Sequence, residues 1–199
     1  FRNSQGFNGD VSGWDVSAVT CMYQVFENAR VFNGDISNWD VSRVGTFHTM
    51  FSNARAFNSD ISQWDTSNSV NMGQMFTNAT VFNQELSLWD VSKVQNMARM
   101  FQMASAFNQY LNPWDVSEVR NMTNMFNMAT SMNGDISNWC VNRFSSQPSR
   151  FDNGAAFQGD TSLLPNWGSC TEFNGIYLRE LVGGTGDLVI GGVASDNTV

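Results

Sequence analysis

The chain has 199 residues and a formal net charge of -8; 42% of its residues are hydrophobic and only 14% are charged. This length allows one sizeable domain with a core, while the ten scattered basic residues exclude the Lys and Arg clusters that nucleic-acid binding requires. No apolar run approaches the roughly 20 residues that span a bilayer, so we expect no direct membrane span.

A 25-residue repeat is present from the start of the chain. Successive blocks open at Phe7, Phe32, Phe57, Phe82, Phe107, Met132 and Phe157. One tryptophan recurs at the same point of each block: Trp14, Trp39, Trp64, Trp89, Trp114 and Trp139. Such repetition predicts blocks that stack and share a continuous core, with each tryptophan in a structural column. The opening stretch "FRNSQGFNGD" resembles the middle of a repeat, so we expect a piece of a longer protein or a mature product whose leader has been removed.

Within a block, the pattern predicts a short strand followed by a short helix. In the fourth block the apolar residues are Val94, Met97, Met100, Phe101 and Ala104. Their spacing of three and four is typical of one helix face, and Asp90 or Ser92 is suited to the N-cap. The preceding "ELS" leaves room for a strand of three or four residues. We therefore expect an α/β stack whose parallel strands lie about 4.8 Å apart.

The repeat "MFxxAxxFNxDIxxWDVSxVxxM" resembles that of the BspA-like leucine-rich-repeat surface proteins, in the subgroup with 25-residue blocks known from mycoplasma lipoproteins. The resemblance covers residues 1 to about 170. It implies a right-handed leucine-rich-repeat-like solenoid of about seven coils. It also implies an extracellular or cell-surface location, and binding or adhesion in place of catalysis.

The last block departs from the repeat, and residues 140–170 resemble the C-terminal capping block of marine members of that family. The resemblance implies a disulfide between Cys140 and Cys170, with two unpaired thiols or half of a metal site as the alternatives. A disulfide implies an oxidising compartment, and the remaining Cys21 is expected to be a small buried thiol. Residues 1–170 then form the repeat unit, and residues 171–199 form an extended tail or the start of another unit.

Polar residues also recur at fixed positions. The carboxylates Asp15, Asp40, Asp65, Asp90 and Asp115 are expected to cap helices, whereas the series that begins at Asp10 leaves Ca²⁺ as a possible ligand, although no dense calcium loop is present. A column of asparagines from Asn8 to Asn133 is expected to be buried and to bond the backbone between coils. Asn78 and Asn121 lie in glycosylation sequons.

No residue constellation indicates an enzyme, because His48 is the sole histidine and no phosphate loop is present. We expect no cofactor. The favoured hypothesis is a non-enzymatic surface repeat protein that binds a protein or glycan. The alternative is a structural subunit of a larger assembly, such as an appendage, a matrix or a membrane supercomplex, whose partners are neighbouring subunits.

Overall fold

The computed structural model describes residues 1–170, which are built from turns, bends and irregular segments. No helix occurs in this range, and no strand longer than a single bridge. The isolated bridges are parallel and join the same position of neighbouring blocks: Cys21–Thr46, Thr46–Asn71, Asn71–Asn96 and Asn96–Asn121. The predicted α/β leucine-rich-repeat-like solenoid, with a strand and a helix in every coil, is therefore wrong. The predicted tail, residues 171–199, lies outside the described residues.

The 25-residue blocks nevertheless lie directly against one another. The rings of Phe26 and Phe51 stack with their centroids 5.7 Å apart, and the rings of Phe51 and Phe76 are also separated by 5.7 Å. A second column, formed by the block-opening residues, stacks at a similar distance, 6.1 Å from Phe32 to Phe57. The two columns also touch at each junction between blocks, since Phe26 and Phe32 are only 3.8 Å apart. Aromatic stacking thus runs both along and across the repeat.

Tandem β-turns replace the predicted helix. The amide of Met50 donates to the carbonyl of Phe47, and the amide of Ala54 donates to that of Phe51, at 3.0 Å each. Both turns begin and end at a residue that is fully buried. A β-turn joins residues i and i+3, so a series of turns places apolar side chains in the core at the same spacing as a helix face. The apolar pattern was correctly assigned to the core, but it does not distinguish the two structures.

In the turn segments, where several residues have positive φ angles, alternate backbone amides donate to the following block and the others donate within their own block. In the second block Thr49 has φ of 56° and Asn53 has φ of 61°. The amides of Thr49, Phe51 and Asn53 donate to carbonyls of the following block at 2.8 to 3.0 Å, whereas those of Met50, Ser52 and Ala54 bond within their own block. In an α-helix every amide would bond within its own segment. Here half of them join neighbouring blocks, which offsets the roughly 1–2 kcal/mol that a left-handed non-glycine residue costs.

The parallel stacking ends at the last block. The rings of Phe151 and Phe157 meet Phe126 edge-on, at interplanar angles of 85° and 77°. Trp167 packs edge-on against Phe151 at 5.0 Å. A disulfide joins Cys140 to Cys170, and the amide of Val141 donates to the carbonyl of Ser169 at 2.9 Å. The chain therefore folds back over the end of the core. The domain boundary at residue 170 stays a prediction.

Candidate functional site

The tryptophan column lies in the core after its first member. Trp39, Trp64, Trp89, Trp114 and Trp139 are buried, whereas Trp14 is 50% exposed and packs against Phe1 at 5.4 Å. Each buried indole Nε1 donates to a main-chain carbonyl 28 residues earlier, at 2.8 to 3.1 Å. For Trp64 and Trp89 the rings are parallel within 5° and 6.4 Å apart. Because these five side chains are buried, they are not accessible to a ligand.

The asparagine column joins blocks at the surface. The Oδ1 atom of Asn33 accepts the amide of Asn58, and Asn58 accepts that of Asn83, at 2.7 and 2.8 Å. The same bond recurs from Asn8 to Asn33, from Asn83 to Asn108 and from Asn108 to Asn133. Bonding between coils is confirmed, but the expected burial is wrong because most of these residues are exposed. The Oδ1 atoms of the asparagines from Asn8 to Asn108 therefore already accept a hydrogen bond from the next block.

Both acidic series form turns in which an aspartate accepts from the serine two residues later. Asp10 accepts the hydroxyl of Ser12 at 2.7 Å and its amide at 2.9 Å, and these bonds hold the pKa of the Asp10 carboxyl below its ordinary value. The pKa is lowered in the same way, by the serine two residues on, at four further aspartates: Asp15, Asp35, Asp40 and Asp160. The predicted helix caps at Asp15 and its equivalents are wrong, since residues 1–170 hold no helix to cap.

Cys21, predicted to be buried, is instead a free and exposed thiol. It occupies the bridge position that Thr46 and Asn71 occupy in later blocks. No group of three or more His, Cys, Asp or Glu side chains in residues 1–170 is placed to hold a metal ion.

The two sequons differ in accessibility. The Nδ2 atom of Asn78 donates to Asn53 at 2.7 Å, and the residue is half-buried. Asn121 is exposed, and its Oδ1 atom accepts the amide of Thr123 at 3.1 Å. Glycosylation would use the side-chain nitrogen, so Asn121 is the more accessible acceptor. Glycosylation at either residue stays a prediction.

A shallow depression of about 320 Å³ crosses the second to fifth blocks. One block position changes from a ring to a small side chain along the stack: Tyr23, His48, Gly73, Ala98 and Thr123. The depression begins where the rings end, and it is lined by His48, Gln74, Asn96, Ala98, Arg99, Asn121 and Thr123. We name it the amide depression, because three of these side chains are carboxamides.

Gly73 keeps the wall beside His48 open. A Cβ atom at Gly73 would lie 2.7 Å from Nδ2 of Asn96 and 3.0 Å from Nδ1 of His48. The His48 ring stacks on Tyr23 at 5.5 Å with an interplanar angle of 8°. Its Nδ1 atom is buried and has no hydrogen-bond partner within residues 1–170. Any side chain at Gly73 would therefore displace the histidine or the amide.

Internal hydrogen bonds fix the amides of the depression. Asn71 Oδ1 accepts both the amide of Gly73 and Nδ2 of Asn96, at 3.0 Å each. Asn96 Oδ1 in turn accepts the amide of Ala98 at 3.1 Å. The sequence pattern indicated His48 only as the sole histidine and did not predict this site. The available signal was the change from ring to small residues at one repeat position.

A second hollow, of about 460 Å³, lies on the last block. Trp167, Pro165 and Leu164 line it together with polar residues. Among residues 1–170 no helix is long and apolar enough to cross a bilayer.

Comparison with known families assigns the repeat. The model of the family described as "Mycoplasma protein of unknown function, DUF285" matches residues 1–92 and, in a second, overlapping match, residues 60–167. No curated protein and no solved structure matches the chain significantly. The two family matches together span all six tryptophans of the repeat and the disulfide cysteine Cys140. This chain therefore belongs to the DUF285 family of mycoplasma-type repeat proteins.

Proposed function

We propose that the chain is a non-enzymatic surface protein in which stacked blocks hold a polar face against a glycan or protein ligand. The amide depression carries this proposal. The repeated Asn and Asp oxygens bond within the stack, but in the depression the amides are joined by a hydroxyl, an imidazole and a guanidinium around open space. A few placed polar groups around a concave surface are typical of a binding site.

The disulfide and the repeat motif support a location outside the cell. Disulfides persist in oxidising compartments and are rare in the cytosol, and one joins Cys140 to Cys170. The motif's resemblance to BspA-like surface proteins points the same way.

Binding of the purified chain to arrays of glycans and extracellular proteins tests the proposal. The matched variant is Ala98→Tyr, because Tyr23 occupies the equivalent position in the first block, where its ring stacks on that of His48. The new ring fills the depression without changing the repeat. We expect saturable binding by the native chain and none by the variant. The proposal would be overturned if the Ala98→Tyr variant still bound the ligand, or if the native chain bound nothing on either array.

A structural subunit of a larger assembly is the second candidate, and exposed apolar side chains favour it. Leu88 is 67% exposed and Tyr110 is 53% exposed, at positions where other blocks carry polar residues such as Gln63 and Asp35. Sedimentation velocity separates the candidates. Self-association that Leu88→Gln abolishes would support an assembly role, and a monomer at high concentration would count against it.

A further inference from the structure

We infer that the amide depression binds an acidic monosaccharide unit, a six-membered sugar that carries a carboxylate. This inference rests on the proposed function and narrows its ligand. Three properties of the depression favour such a ligand: its charge, the hydrogen-bonding capacity of its lining, and its size.

The charge comes from Arg99. Its side chain is exposed and makes no ion pair or hydrogen bond with residues 1–170, in contrast to Arg2 and Arg143, which pair with glutamates. No Asp or Glu lines the depression. An unpaired guanidinium therefore lies at this site in a chain whose net charge is -8. Guanidinium groups form paired, charge-assisted hydrogen bonds with carboxylates.

The remaining lining groups suit hydroxyls. Gln74, Asn96 and Asn121 supply amide donors and acceptors, and Thr123 supplies a hydroxyl. Groups of this kind can donate to and accept from the same sugar hydroxyl. The Asn96 amide is held by bonds to Asn71 and Ala98, so its orientation is set before a ligand arrives. Preorganised polar groups lose less entropy on binding.

The size limits the ligand to one or two sugar rings at a time. A volume of about 320 Å³ is at the lower end of ligand sites, which run from about 300 to 1,000 Å³. Ala98 is the only lining residue with an apolar side chain. A lipid chain or an apolar peptide anchor would therefore cover polar groups of the lining without giving them hydrogen-bond partners, which is unfavourable. A lone guanidinium also provides less charge than a polyphosphate would require.

Titration of the folded chain with glucuronate, glucose and acetate at constant ionic strength tests the inference. The readout is the shift of the side-chain amide signals of Asn96 and Asn121 in ¹⁵N-correlated NMR spectra. We expect saturable shifts with glucuronate, at least tenfold weaker binding of glucose, and no saturation with acetate. Glucose lacks the carboxylate, so its comparison with glucuronate measures what the carboxylate contributes to binding. Acetate lacks the sugar hydroxyls, so its comparison with glucuronate measures what the hydroxyls contribute.

Arg99→Gln removes the charge without a change of backbone. Glutamine occupies the equivalent position as Gln24 and Gln74, at φ of 61° and 59°, close to the 58° of Arg99. We expect at least tenfold weaker glucuronate binding, because the charge-assisted hydrogen bonds to the carboxylate are lost, and unchanged glucose binding. Arg55→Gln, which removes an exposed arginine outside the lining, is the matched control and should bind as the native chain does.

The outcomes separate this inference from the broader proposal. Equal binding of glucose and glucuronate, or an Arg99→Gln variant with native affinity, would overturn the acidic-sugar inference. Array binding that Ala98→Tyr abolishes, together with no response to glucuronate, would leave the proposed function standing and the sugar assignment wrong. No binding on the arrays and no response to glucuronate would refute both the proposed function and the acidic-sugar inference.

Discussion

Removal of one buried indole should destabilise the chain about twice as much as removal of its half-exposed equivalent. Trp89 is 3% exposed, stacks on Trp64 and donates through Nε1 to the carbonyl of Ile61 at 3.0 Å. Trp14 occupies the same repeat position but is 50% exposed. The two residues therefore form a matched pair within one molecule.

The expected magnitude follows from the buried area. An aromatic side chain such as Trp89 buries about 200 Å², which at about 25 cal/mol per Å² corresponds to about 5 kcal/mol. This agrees with the range of about 3–5 kcal/mol for Trp→Ala substitutions in cores. Trp14→Ala loses about half that area, so we expect about 2.5 kcal/mol from the same relation. Trp89→Phe keeps a ring but loses the Nε1 bond, and should cost about 1–2 kcal/mol.

Equilibrium urea unfolding, followed by near-ultraviolet circular dichroism of the remaining aromatic residues, measures these differences. The shift of the midpoint at constant slope gives the change in the free energy of unfolding. Equal costs at Trp14 and Trp89, or a cost below about 1 kcal/mol for Trp89→Ala, would refute burial of the column as the source of stability.

Three further outcomes are expected. Replacement of both Cys140 and Cys170 by serine should lower the free energy of unfolding by about 3–4 kcal/mol, since the disulfide closes a 30-residue separation; serine at the free cysteine should change it by less than about 0.5 kcal/mol. Asn58→Ala removes the acceptor for the next block's amide and should cost about 1 kcal/mol in urea unfolding, whereas Asn58→Asp, which keeps the oxygen, should cost less. Because the lowered pKa of Asp10 favours its ionised form in the folded state, its contribution is present above the ordinary value of 3.8 and is lost as pH falls through the folded pKa. NMR titration should show that pKa moving upward in Ser12→Ala, and an unchanged value would contradict the hydrogen bond as its cause.

The stacking of blocks could be predicted because it depends on repetition alone. A 25-residue period places equivalent rings against one another whatever the local backbone, and the rings of Phe26 and Phe51 meet as expected. The helix could not be separated from tandem turns, since Phe47, Met50 and Ala54 satisfy both spacings. One usable signal was present: asparagine, which tolerates the left-handed region, stands at Asn28 and Asn53 at the same repeat position.

The amide depression was missed for a different reason. It forms because Gly73 and Ala98 are small at the repeat position where earlier blocks carry the rings of Tyr23 and His48. A repeat analysis averages over such differences, because it treats equivalent positions as interchangeable. The placement of Arg99 beside the amides of neighbouring blocks becomes visible only when those blocks are brought together in space.

Because some backbone amides bond within their own block and others bond to a neighbouring block, the repeat constrains how the length of such a chain can change. Many amides that leave their block reach a carbonyl 24 positions onward, as from Phe51 to Met75, and others reach one 25 positions back, as from Gly45 to Thr20. Tandem duplication or loss of one whole unit preserves every such pairing, and the junction is chemically identical to any other. A single-residue deletion would instead shift donors onto the wrong carbonyls through the affected coil. Genes for these proteins can therefore expand or contract in steps of 75 nucleotides (three for each of the 25 residues separating Trp64 and Trp89) at little structural cost.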